Sequence, residues 1–102
     1  MRRAKIYNHG VYAGDLIETD KQTFEFHYLP DYKGPAISLT MPCLQKDFYF
    51  ENFPPFFDGL LPEGLLLEFL LKNAKIDRGD YFSQLITVGK DCVGSVTVEA
   101  AT

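Results

Sequence analysis

Thr23-Phe24-Glu25-Phe26-His27-Tyr28 alternates without a break: Phe24, Phe26 and Tyr28 fall on one side, Thr23, Glu25 and His27 on the other. Successive strand residues point to opposite faces, so this period of two marks a strand with one buried face. One-sided burial is typical of antiparallel sheets, because parallel sheets are covered on both faces. Upstream, Ala4–Tyr7 is a short β-prone run ending at Asn8-His9-Gly10. Asn and Gly tolerate positive φ, which signals a hairpin turn. Val11–Glu18 resumes the strand, with Gly14 marking a bulge or a close backbone approach. Asp20-Lys21-Gln22 is a second polar turn. Downstream, Pro30, Gly34 and Pro35 break Leu29–Pro35 into a loop. Ala36–Thr40 reads as another short strand, with Ile37, Leu39 and Met41 on one face and Met41-Pro42 as its stop. Phe48-Tyr49-Phe50 fits either an edge strand or a segment laid across the core.

Beyond Asn52 the period changes. Pro54 and Pro55 suit the first turn of a short helix running to Leu61, because a missing N–H costs least there. Pro62-Glu63-Gly64 interrupts it, and Leu65 to about Lys75 is a second helix of good helix formers. Asp80 is a suitable N-cap for a third helix, Tyr81 to about Val88, and Gly89 stands where a C′ glycine belongs. Val93–Glu99 returns to strand. Strands followed by helices predict an α+β fold rather than α/β. The expected fold is a small antiparallel sheet of four N-terminal strands and a C-terminal strand, packed with about three helices. The last strand is expected to pair back into the sheet, since its backbone groups need partners.

A chain of 102 residues has material for one domain, residues 1–102. Its 46% hydrophobic and 24% charged residues are ordinary globular composition. With 9 Phe and 6 Tyr, a small core can stand without disulfide staples. The net charge of −4 and the scattering of the 10 Lys and Arg argue against direct nucleic-acid binding, which draws on a basic stripe. No apolar run approaches the ~20 residues of a membrane helix. Arg2, Arg3 and Lys5 are followed by no apolar segment of the kind a secretory signal needs. Cys43 and Cys92 form no CxxC pair and read as reduced thiols of a cytoplasmic protein.

Catalytic groups do not assemble along the sequence. His9 and His27 lack HxH or HxxxH partners, so they read as surface histidines rather than metal ligands or bases. Gly89-Lys90-Asp91-Cys92-Val93-Gly94-Ser95 lacks the spacing of a phosphate-binding loop and leads into a strand, so it reads as a structural turn. Glu63 and Glu68 fall on different helical faces, leaving no acid–base pair. No catalytic residue, cofactor or metal site is expected, and the chain alone should neither bind ATP nor phosphorylate.

Phe53–Leu71 is the informative segment. Between Leu65 and Leu71 only Glu68 is polar, whereas a surface helix normally keeps a polar back. Either a greedy core tucks this helix between the sheet and the third helix, or another protein covers part of it.

Phe56-Phe57-Asp58-Gly59-Leu60-Leu61-Pro62-Glu63-Gly64 resembles the FFxxLLPEG hallmark of the N-terminal subdomain of HipA-type Ser/Thr kinase toxins. Phe26-His27-Tyr28 with Tyr32 resembles that family's strand and loop, and Ile37-Ser38-Leu39-Thr40-Met41-Pro42 its S-L-S-L-P segment. Asp80-Tyr81-Phe82 through Leu85, then Gly89 to Ser95, resembles its ending. Thr40, Ser95 and Leu65–Leu67 depart from the pattern, the last where charged residues are common. In full-length members a kinase core follows this subdomain, whereas this chain stops at Thr102. A chain that opens at Met1 and stops there reads as a complete gene product.

A stand-alone subdomain resembles the HipS-like antitoxins of HipBST-type systems. The resemblance implies a cytoplasmic antitoxin that binds a HipT-like Ser/Thr kinase toxin, with a HipB-like helix-turn-helix protein supplying DNA binding in a ternary complex. The alternative is a regulatory subunit that completes or activates a split HipA-like kinase. The expected partner surface is Gly59, Leu61, Pro62, Glu63, Gly64, Leu65, Leu66 and Phe69. Pro62-Glu63-Gly64 would project a tip, Leu65 would be an apolar anchor behind it, and Glu63 could meet basic residues that hold nucleotide phosphates. The opposing expectation is that this loop only shapes the domain's own core.

Overall fold

The computed structural model describes residues 1–91 and 94–101. It is an α+β fold. Strands β1 (Arg2–Asn8), β2 (Val11–Glu18), β3 (Phe24–Tyr28) and β4 (Asp47–Phe50) precede helices α1 (Pro55–Asp58), α2 (Gly64–Ala74) and α3 (Tyr81–Val88). A 3-10 turn over Gly89–Asp91 leads toward β5 (Val96–Ala100). The sheet is antiparallel in the order β4-β3-β2-β1-β5, so the last strand returns beside the first, as expected.

Asn8 pairs with Val11 across a two-residue hairpin whose His9 and Gly10 sit at φ 51° and 79°. Positive φ at both positions matches the twist of the flanking strands. The register slips between Ile6 and Tyr7, so Ala13 is the extra residue of a bulge beside Gly14. Gly14 is also a close approach: a Cβ there would lie 2.3 Å from the His27 carbonyl oxygen.

The alternation of β3 places Phe24, Phe26 and Tyr28 in the core with Ala4, Ile6, Leu16, Phe48, Val96 and Val98. Phe57 of α1 and Phe82 and Leu85 of α3 close over them. Arg2 ties sheet to helix. It donates to Glu18 at 2.6 Å, to Asp80 at 2.9 Å and to Ser83 Oγ at 2.9 Å, and its guanidinium lies 4.9 Å from the Phe82 ring centroid. Asp80 caps α3 as expected, accepting from the Ser83 N–H.

Several expectations need correction, among them the first helix, which ends at Asp58 rather than Leu61. Ala36–Thr40 is not a strand. It is a loop with one isolated bridge between Ser38 and Met41. Ile37 and Met41 are buried but Leu39 is fully exposed, so the three do not share a face. The Tyr28 hydroxyl replaces a strand partner, accepting from the Ile37 N–H at 3.0 Å and donating to the Met41 carbonyl at 2.5 Å. Gly89 is not a left-handed C′ residue, since its φ is −57°. A Cβ there would lie 2.3 Å from the Val98 carbonyl oxygen, so contact with β5 demands the glycine. The C-terminal strand, expected over Val93–Glu99, runs Val96–Ala100, and Val93 lies outside the described residues, as does Cys92 of the expected Gly89–Ser95 turn. Phe48-Tyr49-Phe50 belongs to an edge strand.

Candidate partner-binding surface

Helix α2 stands apart from the core. It starts at Gly64, whose φ of +60° is a left-handed conformation that favours glycine. It ends at Lys75, itself left-handed at φ 55°, with the Lys75 N–H donated to the Leu71 carbonyl. The helix has eleven residues, Gly64 included, and none of them is buried. Leu67, Leu70 and Leu71 are half-buried on the side toward the domain. Leu65, Leu66 and Phe69 are 87%, 72% and 69% exposed on the other side. The expectation of a helix tucked between sheet and α3 is therefore overturned: the helical residues buried in the core are Phe57 of α1 and Phe82 and Leu85 of α3, with none from α2.

The other members of the expected surface cluster at the same end. Gly59 is the exposed C-cap of α1, and Leu61 and Pro62 are half-buried in the connection. Glu63 is exposed at the N-cap of α2 with no side-chain capping bond. Beside them, Leu66, Phe69, Leu70, Ala74 and Thr87 line an apolar groove of about 440 Å³ between α2 and the end of α3. The sequence offered no sign of the α3 contribution, which arises only from how the two helices cross. Farther along α2, Glu68 pairs with Arg78 at 2.7 Å, and the Asn73 side-chain amide donates to the Phe69 carbonyl at 2.8 Å.

Among the described residues no assembled catalytic arrangement competes with this surface. A larger cleft of about 530 Å³ is lined by Arg2, Glu18, Phe53, Asp80 and Tyr81, but Arg2 is already committed to Glu18 and Asp80. Burial works to raise the Asp80 pKa, yet the bonds from Arg2 and Ser83 prevail and hold it below the usual carboxylate value. No group of three or more His, Cys, Asp and Glu among the described residues could hold a metal ion. No helix among them is long and apolar enough to cross a membrane.

The sequence did not reveal one cluster. His27, read as a lone surface histidine, lies between two carboxylates, with Nε2 2.8 Å from Glu25 Oε1 and Nδ1 2.6 Å from Asp47 Oδ1. The Asp47 contact depends on the β3–β4 register, which places His27 opposite Asp47. Burial works to lower the His27 pKa, but the bonds to Asp47 and Glu25 outweigh it and raise it above 6.5. Only the imidazolium donates to both oxygens at once. The clamp therefore adds stability that is full below the unfolded value and lost as pH rises through the higher folded one. NMR titration should place the His27 midpoint above 6.5, and His27→Gln should destabilise the fold more at pH 5.5 than at pH 8.5. A midpoint at or below 6.5 would contradict the clamp.

Comparison with known proteins agrees with the fold. The sequence profile of the HipA N-terminal domain matches residues 4–99. An uncharacterized protein of Haemophilus influenzae is 33% identical over 99 residues, which span 97% of this chain and 92% of that protein. The serine/threonine-protein kinase toxin HipA of Shewanella oneidensis is 27% identical over 104 residues, 94% of this chain but 24% of the toxin. A solved structure described as the N-terminal domain of HipA toxin superposes with a TM-score of 0.80 at 29% identity, covering 100% of this chain and 94% of its own.

Proposed function

The chain belongs to the HipA N-terminal domain family, and on that premise we propose that it is a HipS-like antitoxin, which docks on a HipT-like Ser/Thr kinase toxin and blocks it. The observation that carries this reading is the apolar start of α2, with Leu65, Leu66 and Phe69 in solvent beside the bend at Pro62-Glu63-Gly64. Large apolar anchors that enter a partner's pocket supply most of the binding energy of an interface. Glu63, exposed at the same tip, suits the basic residues with which a kinase holds nucleotide phosphates. The matched region spans about a quarter of the Shewanella toxin. The Haemophilus relative, nearly filled by the match, supports a stand-alone role for the domain.

The test uses a HipT-like kinase and the full chain. Adding the chain should lower phosphorylation. Leu65→Asp should cost ~2 kcal/mol or more of binding, about thirtyfold in Kd, and free the kinase. Because Leu65 is exposed, the same change should move folding stability by no more than about 0.5 kcal/mol. A folded Leu65→Asp that still inhibits would show that the tip is not the contact. A rise in phosphorylation on adding the chain would assign it instead to completing a split kinase.

A further inference from the structure

The exposed side of α2 carries Leu65, Leu66 and Phe69 along its middle, with Glu68 at their flank paired to Arg78, and it is acidic toward its N-terminal end and basic toward its C-terminal end. Glu63 stands at the N-terminal end, and Lys72 and Lys75 at the C-terminal end, all three exposed. A helix rises 1.5 Å per residue, so Glu63 and Lys75 are separated by roughly 18 Å along the axis. Two such helices laid antiparallel across a two-fold axis near Phe69 bring each acidic end to the other's basic end. Laid parallel, they bring like charges together. We infer that this face is a self-complementary interface through which two copies of the chain associate, α2 against antiparallel α2.

The physical division of labour is specific. Leu65, Leu66 and Phe69 supply the apolar area, and a two-fold interface counts each of them twice. With Phe69 on the axis, Leu65 of one copy lies over the Asn73 end of the other, where the groove between α2 and α3 is open. The exposed charges contribute little affinity but fix the antiparallel direction. The groove and three large apolar side chains offer one continuous patch, whereas Leu39 and Leu44, the other fully exposed leucines, lie on a separate loop. The inference stands apart from the kinase reading, because its readout is the mass of the chain alone.

Sedimentation velocity of the full chain over a wide concentration series tests it. A monomer–dimer equilibrium is expected. Phe69→Asp should weaken it at least tenfold while leaving the thermal melt unchanged, since Phe69 is exposed. Lys72→Glu together with Lys75→Glu should also weaken it severalfold, by facing acid with Glu63. Adding Glu63→Lys to that pair should restore association to within about twofold of wild type. A chain that stays monomeric up to ~1 mM, where even weak contacts of this kind are populated, overturns the inference, including the case in which Phe69→Asp impairs only kinase binding. A dimer indifferent to Phe69→Asp, or a charge swap that fails to restore association, overturns it as well.

Discussion

Phe57→Ala should destabilise the fold by about 3–5 kcal/mol, the range for removing a fully buried aromatic ring. Phe57 is completely buried, and its ring lies 5.9 Å from that of Phe26 and 5.2 Å from that of Phe56. Helix α1 has only four residues, far too few to persist by backbone bonding alone. Phe57 is its one buried residue, so this side chain fixes where α1 sits and, through it, where the Pro62 bend points. Collapse into the cavity is resisted from below, because Phe26 is held in a central stretch of β3 paired on both sides. The urea midpoint should fall sharply with little change in slope, and the melting temperature by roughly 15–30 °C for a chain of this size. A loss under about 1 kcal/mol would show that α1 is anchored by something else.

Tyr28→Phe should cost roughly 2–4 kcal/mol although it removes a single oxygen. That oxygen satisfies two buried backbone groups at once, the Ile37 N–H and the Met41 carbonyl. Each group left without a partner costs about 1–3 kcal/mol, whereas the ring and its packing are retained. Burial pushes the Tyr28 hydroxyl pKa up to about 12, so it remains a donor throughout the ordinary pH range. The loss should therefore be nearly independent of pH between 6 and 9, which separates it from the His27 clamp. The stacked Tyr28 and Tyr32 rings, 7° from parallel, should be preserved in the variant. A change below about 0.5 kcal/mol would mean that the loop repairs both groups on its own.

What could be read from the chain follows the range of the forces involved. Phe24, Phe26 and Tyr28 declared their face because strand alternation is local, and Pro55 and Asp80 marked helix starts for local reasons. Ala36–Thr40 misled because its backbone is satisfied by a hydroxyl from another strand, a partner that no short window contains. Gly89 sits at a helix end, so it resembled a cap, yet its reason for being glycine is the Val98 carbonyl on β5. The clamp on His27 needed the β3–β4 register before Asp47 came into reach. For the candidate surface, the unusual apolarity of Leu65–Leu71 was plain, but its cover was not. Burial depends on whether other elements have surface left to offer, and here the core cluster draws on α1 and α3 instead.

Exposure of Leu65, Leu66 and Phe69 also has an evolutionary consequence. Folding places almost no demand on which side chains stand there, while Gly64 and Lys75 hold the backbone that presents them. Those three positions are thus released from the constraint that binds Phe26 or Phe57 and are free to drift. A lineage can exchange them to follow a changing partner, or to avoid the partner of a sister copy in the same genome, without passing through an unfolded intermediate. On the proposed docking role, specificity and foldability are inherited on separate residues, and the two can be selected independently.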